Sequence, residues 1–118
     1  MNVRIRHIRA CAKKVYSRHG GGMKEKQIEQ KLVRAVRSMG GLCPKLVSPG
    51  MDGMPDRLVL LPGGRMAFAE LKAPGRKPRP LQLRRMAQLS RLGFRVYVID
   101  GPEQINEILQ TIGGTNEV

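Results

Sequence analysis

Asp56, Glu70 and Lys72 are two carboxylates and an amine at a spacing that suits metal-assisted chemistry on a phosphate. The chain reads Gly53-Met54-Pro55-Asp56, then the apolar run Leu58-Val59-Leu60-Leu61, then Pro62-Gly63-Gly64, then Met66-Ala67-Phe68-Ala69-Glu70-Leu71-Lys72. Two strand-like runs joined by Pro-Gly-Gly predict a β-hairpin. Positions 56 and 70 are centred on Gly63, the turn glycine. Folding there sets Leu60 opposite Met66, Leu58 opposite Phe68 and Asp56 opposite Glu70. Opposed residues on one face have Cβ atoms about 5 Å apart. Side chains alternate along a strand, so Lys72 shares the face of Glu70.

Opposed like charges are unfavourable, and the remedies are a divalent cation, a shared proton or a cationic neighbour. Lys72 is one such neighbour. Hard oxygen donors suit Mg²⁺ or Mn²⁺, which take one or two protein carboxylates plus waters and substrate phosphates. The plainer alternative is an edge hairpin in which Glu70 pairs with Lys72 in solvent. Positions 57, 59, 61, 67, 69 and 71 are largely apolar, so the hairpin is expected to be buried on both faces. Buried charges are rarely left unpaired without a purpose.

The elements that must hold these groups follow from periodicity. Ile28, Leu32, Ala35, Val36 and Met39 form an apolar stripe, predicting a helix over 24–39 that ends at Gly40-Gly41. Glu29 borders that stripe, where glutamates are usually solvated or paired with a lysine such as Lys26. A short strand is expected at 42–47, hairpin strands at 56–61 and 65–72, and a buried strand at 94–99. The loop 73–80 holds three prolines and the cations Arg76, Lys77 and Arg79, and it cannot be helical. It follows Lys72 directly, which favours phosphate contact over a merely solvated linker. Pro80 opens a second helix to about Leu92, closed by Gly93. In that helix Gln82 points inward, and Arg84, Arg85 and Arg91 lie outward. A last helix is expected at 102–112. The order αβββαβα predicts an α/β fold with a small mixed sheet flanked by helices.

Composition is consistent with an anionic partner. The chain has 118 residues and a net charge of +13, from 22 Lys and Arg against 9 Asp and Glu. Such an excess favours polyanions, because neutralised phosphates release counterions. Residues 1–22 carry Arg4, Arg6, Arg9, Lys13, Lys14 and Arg18 and no acid, then end in three glycines. They read as a basic arm ahead of a domain at 23–113, with a frayed tail at 114–118. Without the arm the charge is still positive. No apolar run approaches the ~18 residues of a spanning helix, and no signal-peptide core is seen. Only Tyr16, Phe68, Phe94 and Tyr97 are aromatic, which disfavours base-stacking platforms. Cys11 and Cys43 lack metal-ligand spacing and are expected to be reduced thiols of a cytoplasmic protein. His7 and His19 are isolated in the arm.

Pro55-Asp56 followed by Glu70-Leu71-Lys72 resembles the PD-(D/E)xK nucleases, whose core is restriction-endonuclease-like. More narrowly, residues 24–112 resemble a stand-alone VRR-NUC (virus-type replication-repair nuclease) domain. The supporting features are the leading helix with Glu29, Gly53 to Asp56, Ala69 to Lys72, the basic Pro-Gly loop, and Gln82 opening the next helix. The resemblance implies a metal-dependent DNA endonuclease, with Mg²⁺ or Mn²⁺ held by Asp56, Glu70, the Leu71 carbonyl and Glu29. It implies that Lys72 acts on the attacking water and the phosphate, and that Gln82 supports the site, orienting Lys72 or a phosphate. It also implies a phage or prophage origin, selectivity for branched DNA such as Holliday junctions, and a homodimer. No small-molecule cofactor and no membrane partner are expected. DNA contacts are expected at Arg76, Lys77, Arg79, Arg84 and Arg85. The basic arm is a departure from the family pattern. Two other classes compete: a non-catalytic basic nucleic-acid-binding module, and a small basic assembly protein of a phage particle. The full set of catalytic carboxylates argues against both.

Overall fold

A computed structural model describes residues 24–113 of the chain. The basic arm at 1–22 and the tail at 114–118 lie outside the described residues. The elements run α1 (Glu25–Ser38), β1 (Arg57–Leu61), β2 (Arg65–Leu71), α2 (Pro80–Arg91), β3 (Val96–Ile99), a 3-10 turn (Pro102–Gln104) and α3 (Ile105–Gly113). Among the described residues no helix is long and apolar enough to cross a membrane.

The sheet is mixed and ordered β1-β2-β3. β1 and β2 pair antiparallel in the expected register, with Leu58 opposite Phe68 and Leu60 opposite Met66. The three-residue turn works because Gly63 and Gly64 take φ of +87° and +76°, a region that costs glycine nothing. β3 joins β2 in parallel, Glu70 beside Val98 and Leu71 beside Ile99, after the crossover through α2.

The sheet faces differ, and the expectation of burial on both sides holds for only one of them. Val59, Leu61, Ala67, Ala69 and Leu71 are buried in the core with Ile28, Leu32 and Val36 of α1 and Ile105, Leu109 and Ile112. On the other face Leu58, Leu60, Met66 and Phe68 are half-buried. A single helix, α2, cannot cover that width of sheet.

The strand expected at 42–47 is reduced to two isolated bridges, Leu42 to Leu60 and Lys45 to Arg57. Both bridges follow one register, and Pro44 lies between them. Its carbonyl accepts from Leu58 N–H at 3.0 Å, but a proline has no N–H to return the bond. The segment therefore runs as a ribbon beside β1 without becoming a strand.

α1 ends as its glycines require. The amides of Gly40 and Gly41 donate to the carbonyls of Arg37 and Val36, with Gly40 at φ +86°; this is a Schellman closure. Gly41 has the tighter position. A Cβ there would lie 2.2 Å from the Leu60 carbonyl oxygen and 3.0 Å from Leu61 and Val36 side-chain carbons, whereas at Gly40 the nearest atom is 3.6 Å away. Gly41→Ala should thus cost more than Gly40→Ala, although only Gly40 has positive φ. We expect about 2–3 kcal/mol for Gly41→Ala, in the range of overpacked cores, and about 1 kcal/mol for Gly40→Ala. Thermal unfolding of both variants measures the order; equal losses would contradict it.

Candidate active site

The hairpin register brings the two acids together. Arg57 pairs with Ala69, so the preceding residue, Asp56, meets Glu70. Asp56 lies one residue before β1, and its Oδ2 accepts from Leu71 N–H at 2.9 Å. This bond caps an amide at the end of β2 that β1 is too short to reach. A strand residue's N–H and C=O point to the same edge, so the Leu71 carbonyl is directed to the side of Asp56. The loop before Asp56 is clamped by α2: Arg85 Nε donates to the Asp52 carbonyl at 3.1 Å, and Gly53 lies against Leu81, where a Cβ would approach within 3.0 Å.

Glu70 is 1 % exposed. Its Oε2 accepts from Gln82 Nε2 at 2.7 Å and lies 3.4 Å from Lys72 Nζ. Its Oε1 is buried with no hydrogen-bond partner. Burial, reinforced by the Asp56 carboxylate and opposed by Lys72, pushes the Glu70 carboxyl up to about 7. A buried, half-satisfied carboxylate is costly. Lys72 reaches the site from the end of β2, where its own N–H donates to the Ile99 carbonyl at 3.0 Å.

Gln82 does two jobs with one amide. As the third residue of α2 its Oε1 accepts from the Arg79 N–H at 2.8 Å, one half of a capping box. Its Nε2 holds Glu70. The sequence predicts Gln82 as a support of the site, by way of Lys72 or a phosphate; the side chain it bonds is Glu70.

Glu29 is not turned into this cluster. Its Oε2 pairs with Arg57 Nε at 2.8 Å, and Arg57 Nη1 also donates to the Cys43 carbonyl at 2.6 Å. Arg57 alternates to the α1 face of β1, and it draws Glu29 there. The acid of α1 whose charge is felt at Asp56 and Glu70 is Glu25, exposed in the first turn, which sequence reasoning missed. Its carboxyl is raised by the surrounding protein and by Asp56, and opposed by Lys72 and Arg76. A signal was available: positions 25, 28, 32 and 36 fall within about 80° on a helix of 3.6 residues per turn. Glu25 thus continues the buried stripe of Ile28, Leu32 and Val36 beyond the sheet, whereas Glu29 is on its flank.

Of the residues expected to touch DNA, Arg76, Lys77 and Arg79 are exposed on the loop after Lys72, and Arg84 is exposed on α2. Arg85 is half-buried and occupied, with Nη1 on Gln88 at 2.8 Å beside its bond to Asp52. Cys43 is a buried free thiol, pushed up to about 11 by burial. Cys11 and the two histidines lie outside the described residues.

The donors present suit a hard divalent cation. Asp56 and Glu70 supply oxygen, Glu70 Oε1 has no other partner, and a neighbouring carbonyl is available. Among the described residues no group of three or more His, Cys, Asp or Glu side chains stands ready to enclose a metal. Two carboxylates with room for water and phosphate are what Mg²⁺ usually takes.

Comparison with known proteins agrees with this geometry. No family model matches the chain. A curated phage protein described as "Putative nuclease p44", of Acyrthosiphon pisum secondary endosymbiont phage 1, is 49% identical over 90 residues, covering 76% of this chain and 96% of its own length. A solved structure described as a VRR_NUC domain superposes with a TM-score of 0.70 at 32% identity, covering 75% of this chain and 97% of its own. Sequence, register and fold therefore converge, and the chain belongs to the VRR-NUC family of nuclease domains.

Proposed function

We propose that this protein is a divalent-metal-dependent endonuclease that hydrolyses phosphodiester bonds in DNA. The observation that carries the reading is Glu70: buried, unsatisfied at Oε1, opposite Asp56 and 3.4 Å from Lys72. Asp56, Glu70 and the Leu71 carbonyl are the proposed holders of Mg²⁺ or Mn²⁺, with Glu25 in the role the sequence reading gave to Glu29. When bound, the ion would polarise a phosphoryl oxygen and acidify a water. Lys72 stabilises the extra negative charge on the phosphate as the bond to water forms. Gln82 holds Glu70 in the rotamer that faces Asp56. Arg76, Lys77, Arg79 and Arg84 supply positive charge for the backbone beside the scissile bond; Arg85 serves chiefly to anchor the 48–53 loop.

The reading extends to branched DNA and a homodimer. One chain carries one such site, and two symmetric cuts require two. The half-covered face of Leu58, Leu60, Met66 and Phe68, with Phe94 stacked edge-on to Phe68 at 5.8 Å and 42% exposed, offers an apolar surface for a second copy.

The test is incubation of the full chain with labelled four-way junction, flap and duplex DNA in Mg²⁺, Mn²⁺ or excess chelator. Cleavage should require the divalent ion. Glu25→Gln should reduce the rate more than Glu29→Gln, by about tenfold or more, since one group faces Asp56 and the other an arginine. DNA binding without cleavage of any substrate would leave a non-catalytic binding module.

A further inference from the structure

A second basic surface lies on the α1 side of β1. It is an open groove of about 330 Å³ between α1 and the ribbon beside β1, lined by Lys26, Glu29, Arg34, Lys45 and Arg57 with Gln30 and Val33. Lys26, Gln30 and Arg34 recur every four residues, so they form one row along α1. Lys45 and Arg57 make the other wall, joined by their β-bridge. Lys26, Arg34 and Lys45 have no ion pair among the described residues. Arg57 is held by Glu29 through Nε and by the Cys43 carbonyl through Nη1. Its Nη2 has no hydrogen bond among the described residues and is free for an anion.

Four cations around the single acid Glu29 leave a net positive groove whose mutual repulsion an added anion would relieve. The groove adjoins the active site along the chain, since Lys26 follows Glu25 and Arg57 follows Asp56, with the Arg57 side chain on the α1 face of β1. From Lys26 to Arg34 is eight residues of helix, about 12 Å. That length spans about three phosphates of one duplex strand.

We infer that this groove is a backbone track for DNA, gripping the phosphates of the strand that runs on from the scissile bond. The inference rests on the nuclease reading. In it Glu29 is a positioning residue, which fixes the Arg57 guanidinium with Nη2 toward the strand. The contacts are to phosphates, so the track is indifferent to base sequence.

Arg34→Glu combined with Lys45→Glu tests the track, with Lys31→Glu as the control. All three side chains are exposed; Lys31 is on α1 but outside the groove. Affinity for a duplex of arbitrary sequence is measured by fluorescence anisotropy across a salt series in chelator, and cleavage is measured separately in Mn²⁺. The double variant should bind roughly tenfold or more weakly at moderate salt, on unrelated sequences alike. Its log–log salt slope should fall by about two, one for each lost phosphate contact. KM should rise with kcat little changed, and Lys31→Glu should match wild type in slope. Glu29→Gln removes a negative charge from the groove, so charge alone would tighten binding; weaker binding with no change in Mn²⁺ affinity is the result expected if Glu29 acts by fixing Arg57, and tighter binding would overturn that role. Wild-type affinity and slope in the double variant, with cleavage intact, would overturn the track and leave the nuclease standing. A chain that cuts nothing would instead overturn the nuclease reading, and with it the track.

Discussion

Glu70→Gln should lower the DNA cleavage rate by about a thousandfold or more while leaving DNA binding in chelator unchanged. The proposed cation loses one of its carboxylates, and several kcal/mol of charge stabilisation in the transition state go with it, at 1.36 kcal/mol per tenfold in rate. The same substitution should stabilise the metal-free protein at alkaline pH. The Glu70 carboxyl is pushed up to about 7 by burial and by Asp56. The folded state therefore holds a proton that the unfolded chain releases at ordinary carboxylate pH. Stability from that proton is fully present below the unfolded value and is lost as pH rises through about 7. The substituted amide remains neutral throughout and keeps an acceptor for Gln82 and Lys72. Wild type should thus lose up to about 3 kcal/mol relative to Glu70→Gln between mildly acidic and alkaline pH. Added Mn²⁺ should raise the melting temperature of wild type and leave the variant unmoved. Parallel pH profiles for the two proteins would show that Glu70 titrates normally.

Lys72→Met is expected to slow the chemical step by about a hundred- to a thousandfold, the usual cost of removing one preorganised charge at a transition state. Methionine retains the stem that packs at the end of β2 and deletes only the amine. Lys72 Nζ is 3.4 Å from Glu70 Oε2 and is the group that opposes the upward push on the Glu70 carboxyl. Without it Glu70 holds its proton to still higher pH. The pH at which cleavage reaches half its maximum should therefore rise, and more Mn²⁺ should be needed at neutral pH. Lys72→Arg should recover only part of the rate, because a planar fork does not occupy the place of a compact ammonium. Single-turnover rates at saturating metal across pH separate these effects. An unchanged rate in Lys72→Met would remove the amine from the reaction.

The hairpin was legible from residues alone. Gly63 and Gly64 can take left-handed conformations, the turn has a definite length, and the register follows from it by alternation. Asp56 and Glu70 then meet through a contact only fourteen residues apart in the chain. Gln82 was legible in the same way, since Pro80 sets the helix start and Leu81, Met86 and Leu89 set its inner face. In these cases the chemistry is local and each position is counted from a nearby marker.

Other features depended on distant partners. Pro44 allows the run 42–47 to lie beside β1 but denies it a full ladder, and this becomes visible only once Leu58 is its neighbour. The choice between Glu25 and Glu29 is four residues of helix, about 6 Å along the axis of α1. Periodicity tells which face of a helix is buried; it does not tell where the helix stops against the sheet. Packing Ile28, Leu32 and Val36 on Val59, Ala67 and Leu71 decides that, and it carries Glu25 past the sheet to Asp56 while Glu29 falls to Arg57. The amino-acid sequence thus determined the pairing of the hairpin acids, and the tertiary structure gave Glu29 to Arg57 and left Glu25 coupled to Asp56. Turn geometry is written in adjacent residues, whereas the axial position of a helix is set by side chains more than twenty residues away.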